Sequence, residues 1–251
     1  MSDVLYEISD GRAAITLNRP ARLNAINRDM LFGLEEALKR ANHTPSVQVV
    51  LLAGAGAAFC AGDDLAELAK SPPGEADAAD FIERLQNITR LIMLGDKVVV
   101  CAVRGWAIGG GASWPFNADI ALWSDTARIR FPEARHGLFS SGGATMLLER
   151  FAGPHRASEI LMLGGTYDAA ALAGSGLALK ITPDAELDAE ADALVEKLLS
   201  LRSTSLVRCK RARAGLVKSS LEQALSIESR MMLDAVRALI ESGVMPAIDR
   251  A

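Results

Sequence analysis

Hydrophobic and polar positions alternate with period two around Leu5 to Ile8 and again from Ala13 to Leu17, with Asp10-Gly11 between them. This spacing predicts two strands joined by a tight turn. After the turn-like segment Asn18 to Asn24 the period changes. Met30, Leu31, Leu34 and Leu38 recur at helical intervals behind Asn27, a residue suited to capping, and the run ends near Asn42 and Pro45. Val47 to Ala53 is apolar without interruption, the mark of a strand covered on both faces. Phe81, Leu85, Ile88 and Ile92 predict a second helix, and Val98 to Val103 a second buried strand. Ile120 to Trp123 and Ile129 to Phe131 read as two more short strands. Beyond about Gly143 the strand signals fade and helical spacing takes over, in Leu187, Ala191, Leu194 and Leu198 and later in Leu225, Met232, Val236 and Leu239.

Short apolar strands alternating with helices predict an α/β fold with at least partly parallel pairing, followed by a helical region. Thr182-Pro183-Asp184 marks the seam, dividing the chain into 1–183 and 184–251, and Ser71-Pro72-Pro73-Gly74 reads as a surface loop. The 251 residues sit near the length at which a single core stops growing. Half of them are hydrophobic and the formal net charge is only −4, which excludes a disordered chain. No apolar run approaches the ~20 residues that cross a bilayer, and the first residues lack a signal-peptide layout, so the expectation is a cytoplasmic protein without a membrane partner. An acidic balance argues against nucleic acid. The local basic cluster Arg208, Lys210, Arg211, Arg213 and Lys218 suits phosphates or, more blandly, a solvated helix face. Cys60, Cys101 and Cys209 are far apart and odd in number, which supports neither a disulfide framework nor a metal site.

Two glycine-bearing turns follow buried strands: Ala53 to Gly56 leading into Phe59 to Leu65, and Ala107 to Ser113. The dinucleotide fingerprint fails at the first, because its third glycine falls on Phe59, and neither turn continues into the GK[ST] of a phosphate loop. Such turns still offer bare backbone N–H groups at a helix start, a place for a carbonyl oxygen that becomes negative.

The ordered set Leu17-Asn18-Arg19-Pro20 with Asn24-Ala25-Ile26, Ala58 to Leu65, Gly105 to Gly111, Ala118-Asp119-Ile120 and Phe131-Pro132-Glu133 closely resembles the enoyl-CoA hydratase/isomerase (crotonase) family, from about residue 4 to residue 182. The resemblance implies a spiral of ββα turns with a C-terminal helical region used for trimer assembly. It also implies acyl-CoA thioesters as substrates, with coenzyme A entering as part of the substrate and no prosthetic group or metal. On the same ground the backbone N–H groups of Asp63 and Gly110 are the oxyanion donors. Arg22 lies near the CoA phosphates, and the backbone from Cys60 through Ala61 and Gly62 to Asp63 meets the adenine. A homotrimer or a dimer of trimers is the implied assembly, to which the apolar Met231, Met232, Leu233, Val236, Leu239 and Ile240 also point. The ending Glu241 to Pro246 departs from the aromatic-bearing pattern of the family.

Hydratases of this family use two glutamates, and here the first position is Ser113 while the second is Glu133. A further acidic position of the family, eight residues after Glu133, falls on Ser141. Serine has no useful basicity near neutral pH, so efficient hydration is not expected. A double-bond shift needs only one base to take an α-proton and return it at the γ-carbon, and Glu133 is that candidate. Enoyl-CoA hydratase is the alternative. Others are a thioester hydrolase on Ser113 with His136, and a non-catalytic acyl-CoA binder. His136 also suits a substrate-pocket donor, and Trp106, Trp114, Phe116, Phe139 and Met146 are the expected pocket lining.

Overall fold

The computed structural model describes residues 2–70, 74–178 and 180–242. The predicted surface loop at 71–73 and the ending beyond Ser242 lie outside these residues.

A hairpin opens the fold. β1 (Val4–Ser9) and β2 (Arg12–Leu17) pair antiparallel, with Ser9 opposite Arg12 across the Asp10-Gly11 turn. α1 (Arg28–His43) begins where the Asn27 side chain accepts from the Met30 N–H. β3 (Val49–Gly54), α2 (Leu65–Lys70), α3 (Glu75–Leu94) and β4 (Val98–Val103) follow. Next come β5 (Trp106–Ile108), α4 (Gly110–Asn117), β6 (Ile120–Ser124) and β7 (Arg128–Arg130). The rest comprises α5 (Ala144–Leu163), β8 (Thr166–Asp168), α6 (Ala169–Gly174), β9 (Ile181–Thr182), α7 (Leu187–Leu199) and α8 (Ser203–Ser242).

Six strands form one sheet in the order β1-β2-β3-β4-β6-β9, parallel except for the opening hairpin, and β5-β7-β8 form a second. β3 and β4 are apolar throughout because both of their faces are covered. Val50, Leu52, Val99 and Cys101 enter the main core, while Val49, Leu51, Val98 and Val100 meet Leu187, Ala191, Val195 and Leu198 of α7 on the other face. β8 and β9 correct the reading that strands end before Gly143. With three and two residues they carry no period that a sequence window can register.

α8 is tied to the body of the fold by buried polar groups as well as by Leu221, Leu225 and Met232. Lys210 is nearly inaccessible and donates to the Ile92 carbonyl at 2.6 Å and to Asp119 at 2.5 Å. Arg211 pairs with Asp96, and Arg213 with Asp119. The cluster is a solvated face, as the blander reading has it, with Arg208, Arg211, Arg213 and Lys218 exposed; Lys210 alone departs from it, buried in its bonds to Ile92 and Asp119. Glu228, fully buried, accepts from the backbone N–H groups of Gly143 and Thr145 and from the Thr145 hydroxyl, closing the start of α5.

Candidate active site

The segment around 60–63 runs beside the segment around 106–109. The Cys60 N–H donates to the Trp106 carbonyl and the Ile108 N–H donates back to the Cys60 carbonyl, both at 2.9 Å. On its other side the same segment bonds to the loop before α1, through Ile26 N–H to the Gly62 carbonyl at 2.7 Å and Asp64 N–H to the Ile26 carbonyl at 2.9 Å. That loop is fixed by Asn24, which has no exposed surface. Its amide donates to the carbonyls of Ala55 and Ala58 and its oxygen accepts from the Arg19 N–H. Small residues let these strands close up: a Cβ on Gly62 would stand 2.9 Å from the Ile108 carbonyl oxygen.

Gly109 caps α4 at φ 54°, so Gly110 supplies the first N–H of the helix, one that has no partner inside it. Asp63 N–H belongs to the neighbouring segment. Ile26 and Leu85 face both Gly110 and a cavity of about 210 Å³ whose lining includes Asp63, Phe81, Ile82, Leu138, Met232 and Val236. Apolar residues of α3 and α8 wall the cavity, and Arg28 at the start of α1 pairs with Asp77 in the first turn of α3 at its edge. None of Trp106, Trp114, Phe116, Phe139 and Met146 lines it among the described residues. This corrects the expected lining. Trp114 and Phe116 are core residues, and Phe116 packs on Trp123 and Phe131.

Glu133 opens a single 3-10 turn (Glu133–His136) behind β7. Leu138, one of the cavity's residues, donates its N–H to the Glu133 carbonyl. The carboxylate is buried, its Oε2 has no partner, and Oε1 would lie 2.9 Å from a Cβ on Gly109, so a side chain there would displace the carboxylate, while φ 54° itself favours glycine. Burial, with the negative charge of Asp63 adding to it, raises the Glu133 pKa to about 7 against a hydrogen bond from Ser140. Near neutral pH such a carboxyl can both take and return a proton.

Ser113 is buried in α4, and its hydroxyl donates to the Ser141 carbonyl at 2.9 Å and more weakly to Gly109. The two positions that lack the family's acids are thus joined by a hydrogen bond. Among the described residues the Ser113 hydroxyl gives its proton to carbonyl oxygens rather than to a histidine. His136 closes the turn of Glu133 and is not among the lining residues of the cavity.

Arg22 is about half exposed and holds Asp64 at 2.9 Å, with Arg19 on the other carboxylate oxygen at 3.1 Å. Burial alone would raise the Asp64 pKa, but the bonds from Arg22, the Glu67 N–H and Arg19 outweigh it and leave it lowered. Cys60 is fully buried and its thiol is pushed up to about 12 by desolvation, which makes it a packing residue. Among the described residues no group of three His, Cys, Asp or Glu side chains is placed to hold a metal, and no helix is long and apolar enough to cross a membrane.

The family model described as enoyl-CoA hydratase/isomerase matches residues 7–244. A 1,2-epoxyphenylacetyl-CoA isomerase of Escherichia coli K12 is 33% identical over 91% of this chain and 88% of its own length. A probable enoyl-CoA hydratase of Mycobacterium bovis is 29% identical, covering 97% of this chain and 93% of its own. Among solved structures, an enoyl-CoA hydratase from Mycobacterium avium subsp. paratuberculosis superposes with a TM-score of 0.86 at 28% identity, covering 94% of this chain and 95% of that one. The matched span, the fold and the two apposed glycine turns agree, and the chain belongs to the enoyl-CoA hydratase/isomerase family.

Proposed function

We propose that this enzyme shifts the double bond of an enoyl-CoA thioester from the 3,4 to the 2,3 position, with Glu133 as the base. Binding the thioester carbonyl between the N–H groups of Asp63 and Gly110 stabilises the dienolate that forms when the C2 proton leaves. Glu133 takes that proton, and protonation at C4 completes the shift. The observation that carries the reading is the Glu133 carboxyl itself: buried, with one oxygen unpartnered and a proton affinity near neutrality, while the position that would complete a water-activating pair holds a serine already bonded to Ser141. The apolar cavity between α3 and α8 suits the acyl group, whose entry displaces water from the site. Arg22, half exposed at the rim, suits the CoA phosphates, the backbone from Cys60 through Ala61 and Gly62 suits the adenine, and His136 is the nearest histidine in sequence to the base. Exposed Leu216, Ile227, Met231 and Ile240 on α8 support self-association as a trimer or a dimer of trimers.

The test is a mass-resolved assay with 3-enoyl-CoA and 2-enoyl-CoA in deuterated water, beside Glu133→Gln. Conversion of the first to 2-enoyl-CoA without added water, lost in the variant by at least a hundredfold, is the expected result. Robust water addition to 2-enoyl-CoA would replace the reading with a hydratase, and release of free CoA with a hydrolase.

A further inference from the structure

Two carboxyl groups at this site have a buried oxygen without a partner, and only one of them has been given a task. Asp63 Oδ1 is as orphaned as Glu133 Oε2. Its sequence neighbour shows how unusual that is, because Asp64 receives both Arg19 and Arg22 while no ion pair reaches Asp63 among the described residues. Asp63 as a residue keeps partial exposure, but a carboxylate oxygen shut away like Oδ1 is otherwise paired or protonated.

The backbone explains why Asp63 belongs to the reacting centre. Gly62 closes on the carbonyl of Ile108, and the next residue, Gly109, closes on the Glu133 carboxylate, each with 2.9 Å to a would-be Cβ. Asp63, the residue after Gly62, and Glu133 are thus both attached beside the Ile108-Gly109 segment, the one that delivers the Gly110 N–H. Asp63 also lines the cavity. The negative charge of Asp63 adds to the rise of the Glu133 pKa, so the two carboxyls ionise as a coupled pair that holds about one proton between pH 6 and 7, mainly on Glu133.

We propose that Asp63 is the second proton-carrying residue of the site, the acid that protonates C4 of the dienolate while Glu133 holds the proton taken from C2. The step balances. The C2–H bond breaks and its proton goes to Glu133; the electron pair moves through the dienolate to C4; the Asp63 O–H bond breaks and a C4–H bond forms. Glu133 then carries the proton and Asp63 the charge, and a proton passing from one to the other, directly or through water, restores the starting state. No oxidant or second reactant enters. The side chain thereby fills the role of the second acid that Ser113 lacks, from the opposite turn. Burial places its pKa at about 6 against about 7 for Glu133, so the return of the proton from Glu133 to Asp63 runs uphill and the starting form is roughly tenfold less populated than its mirror image.

The other charged groups facing the pair do not alter this. Arg19 is spent on Asp64 and Asp3, and Arg28 on Asp77. Glu67 is exposed, and Glu228 on α8 is held by three donors at the start of α5. Cys60 stays a thiol at neutral pH, and His136 ends the turn of Glu133.

This inference rests on the isomerase reading for its chemistry but not for its test. Carbon-13 carboxyl titration of the free protein, in the wild type, Asp63→Asn and Glu133→Gln, reads the coupling without any substrate. Two coupled steps near neutrality are expected, with the remaining Glu133 step moving down by about one pH unit in Asp63→Asn. Kinetically, the pH profile of kcat with 3-enoyl-CoA is expected to be bell-shaped in the wild type. In Asp63→Asn it should become a single ascending limb with kcat lowered ten- to a hundredfold and KM little changed, a change of shape that a structural role would not produce. Asp63→Glu is expected to restore part of the descending limb. An unmoved Glu133 titration, or a kcat profile of unchanged shape in Asp63→Asn, overturns the proposal. If the wild type converts no 3-enoyl-CoA, the isomerase reading fails, and the titration still decides whether the two carboxyls share a proton.

Discussion

Replacing Glu133 with glutamine removes the proposed base and also removes a liability of the fold. In the native protein, burial moves this carboxyl from its ordinary 4.5 to about 7. The native state therefore binds the proton more tightly than the unfolded chain, by an amount worth roughly 3 kcal/mol at about 1.4 kcal/mol for each tenfold change in affinity. Below pH 4.5 the group is protonated in both states and contributes nothing to the difference. As the pH rises from 4.5 to 7 the unfolded chain releases the proton while the folded chain keeps it, and stability falls; above 7 the whole penalty persists. Glutamine, neutral throughout, escapes it. Glu133→Gln is expected to lose isomerase activity yet to gain about 3 kcal/mol over the wild type at pH 8, with the gap closing towards pH 4.5. Urea or guanidinium unfolding at a series of pH values measures this, and comparing slopes cancels any constant effect of the amide on its Ser140 contact. A gap that does not change with pH, or a variant less stable at pH 8, would refute the argument that this carboxyl is buried without compensation.

Asn24→Ala, which removes three hydrogen bonds at a residue held at φ 55°, is expected to cost about 3 kcal/mol in chemical unfolding, and Asn24→Gly somewhat less because glycine accepts the backbone. Gly109→Ala forces a Cβ against the Glu133 carboxylate, and kcat/KM for 3-enoyl-CoA should fall at least tenfold while the circular dichroism spectrum is retained. Lys210→Ala leaves the Ile92 carbonyl and Asp119 without their buried donor and is expected to lower stability by about 3 kcal/mol, whereas activity per folded molecule stays within twofold. Ser113→Ala gives up a single hydrogen bond to a carbonyl, so isomerase kcat should stay within about threefold of the wild type; a larger loss would assign the hydroxyl a part in the reaction.

Much of this architecture is legible in the chain because its driving pattern is local. The alternation in the opening hairpin, the Asn27 cap and the apolar runs of β3 and β4 are each imposed by neighbours within a few residues. Phe131-Pro132 puts Glu133 forward as a candidate by resemblance, and its burial beside Gly109 adds a physical reason that the sequence alone does not carry. What resists reading depends on distant partners. The cavity is walled by α3 and α8, nearly 150 residues apart, so Phe81 and Met232 carry no shared signal, while the conspicuous Trp114 and Phe116 went to the core. Asp63 and Asp64 look equivalent in sequence; only the fold gives both arginines to one of them.

The hydrogen bond from Ser113 to the Ser141 carbonyl bears on where the site can be altered. The turn that supplies this carbonyl continues into Gly142, where a Cβ would stand 2.9 Å from that of Ser113, and Thr89 fills the remaining side. A longer side chain at position 113 gives up this hydrogen bond and has to pack against the 140–143 turn. Changes at Phe81, Leu138 or Met232 meet no such bond and face the cavity directly, so the shape offered to a ligand is more easily altered there than at position 113.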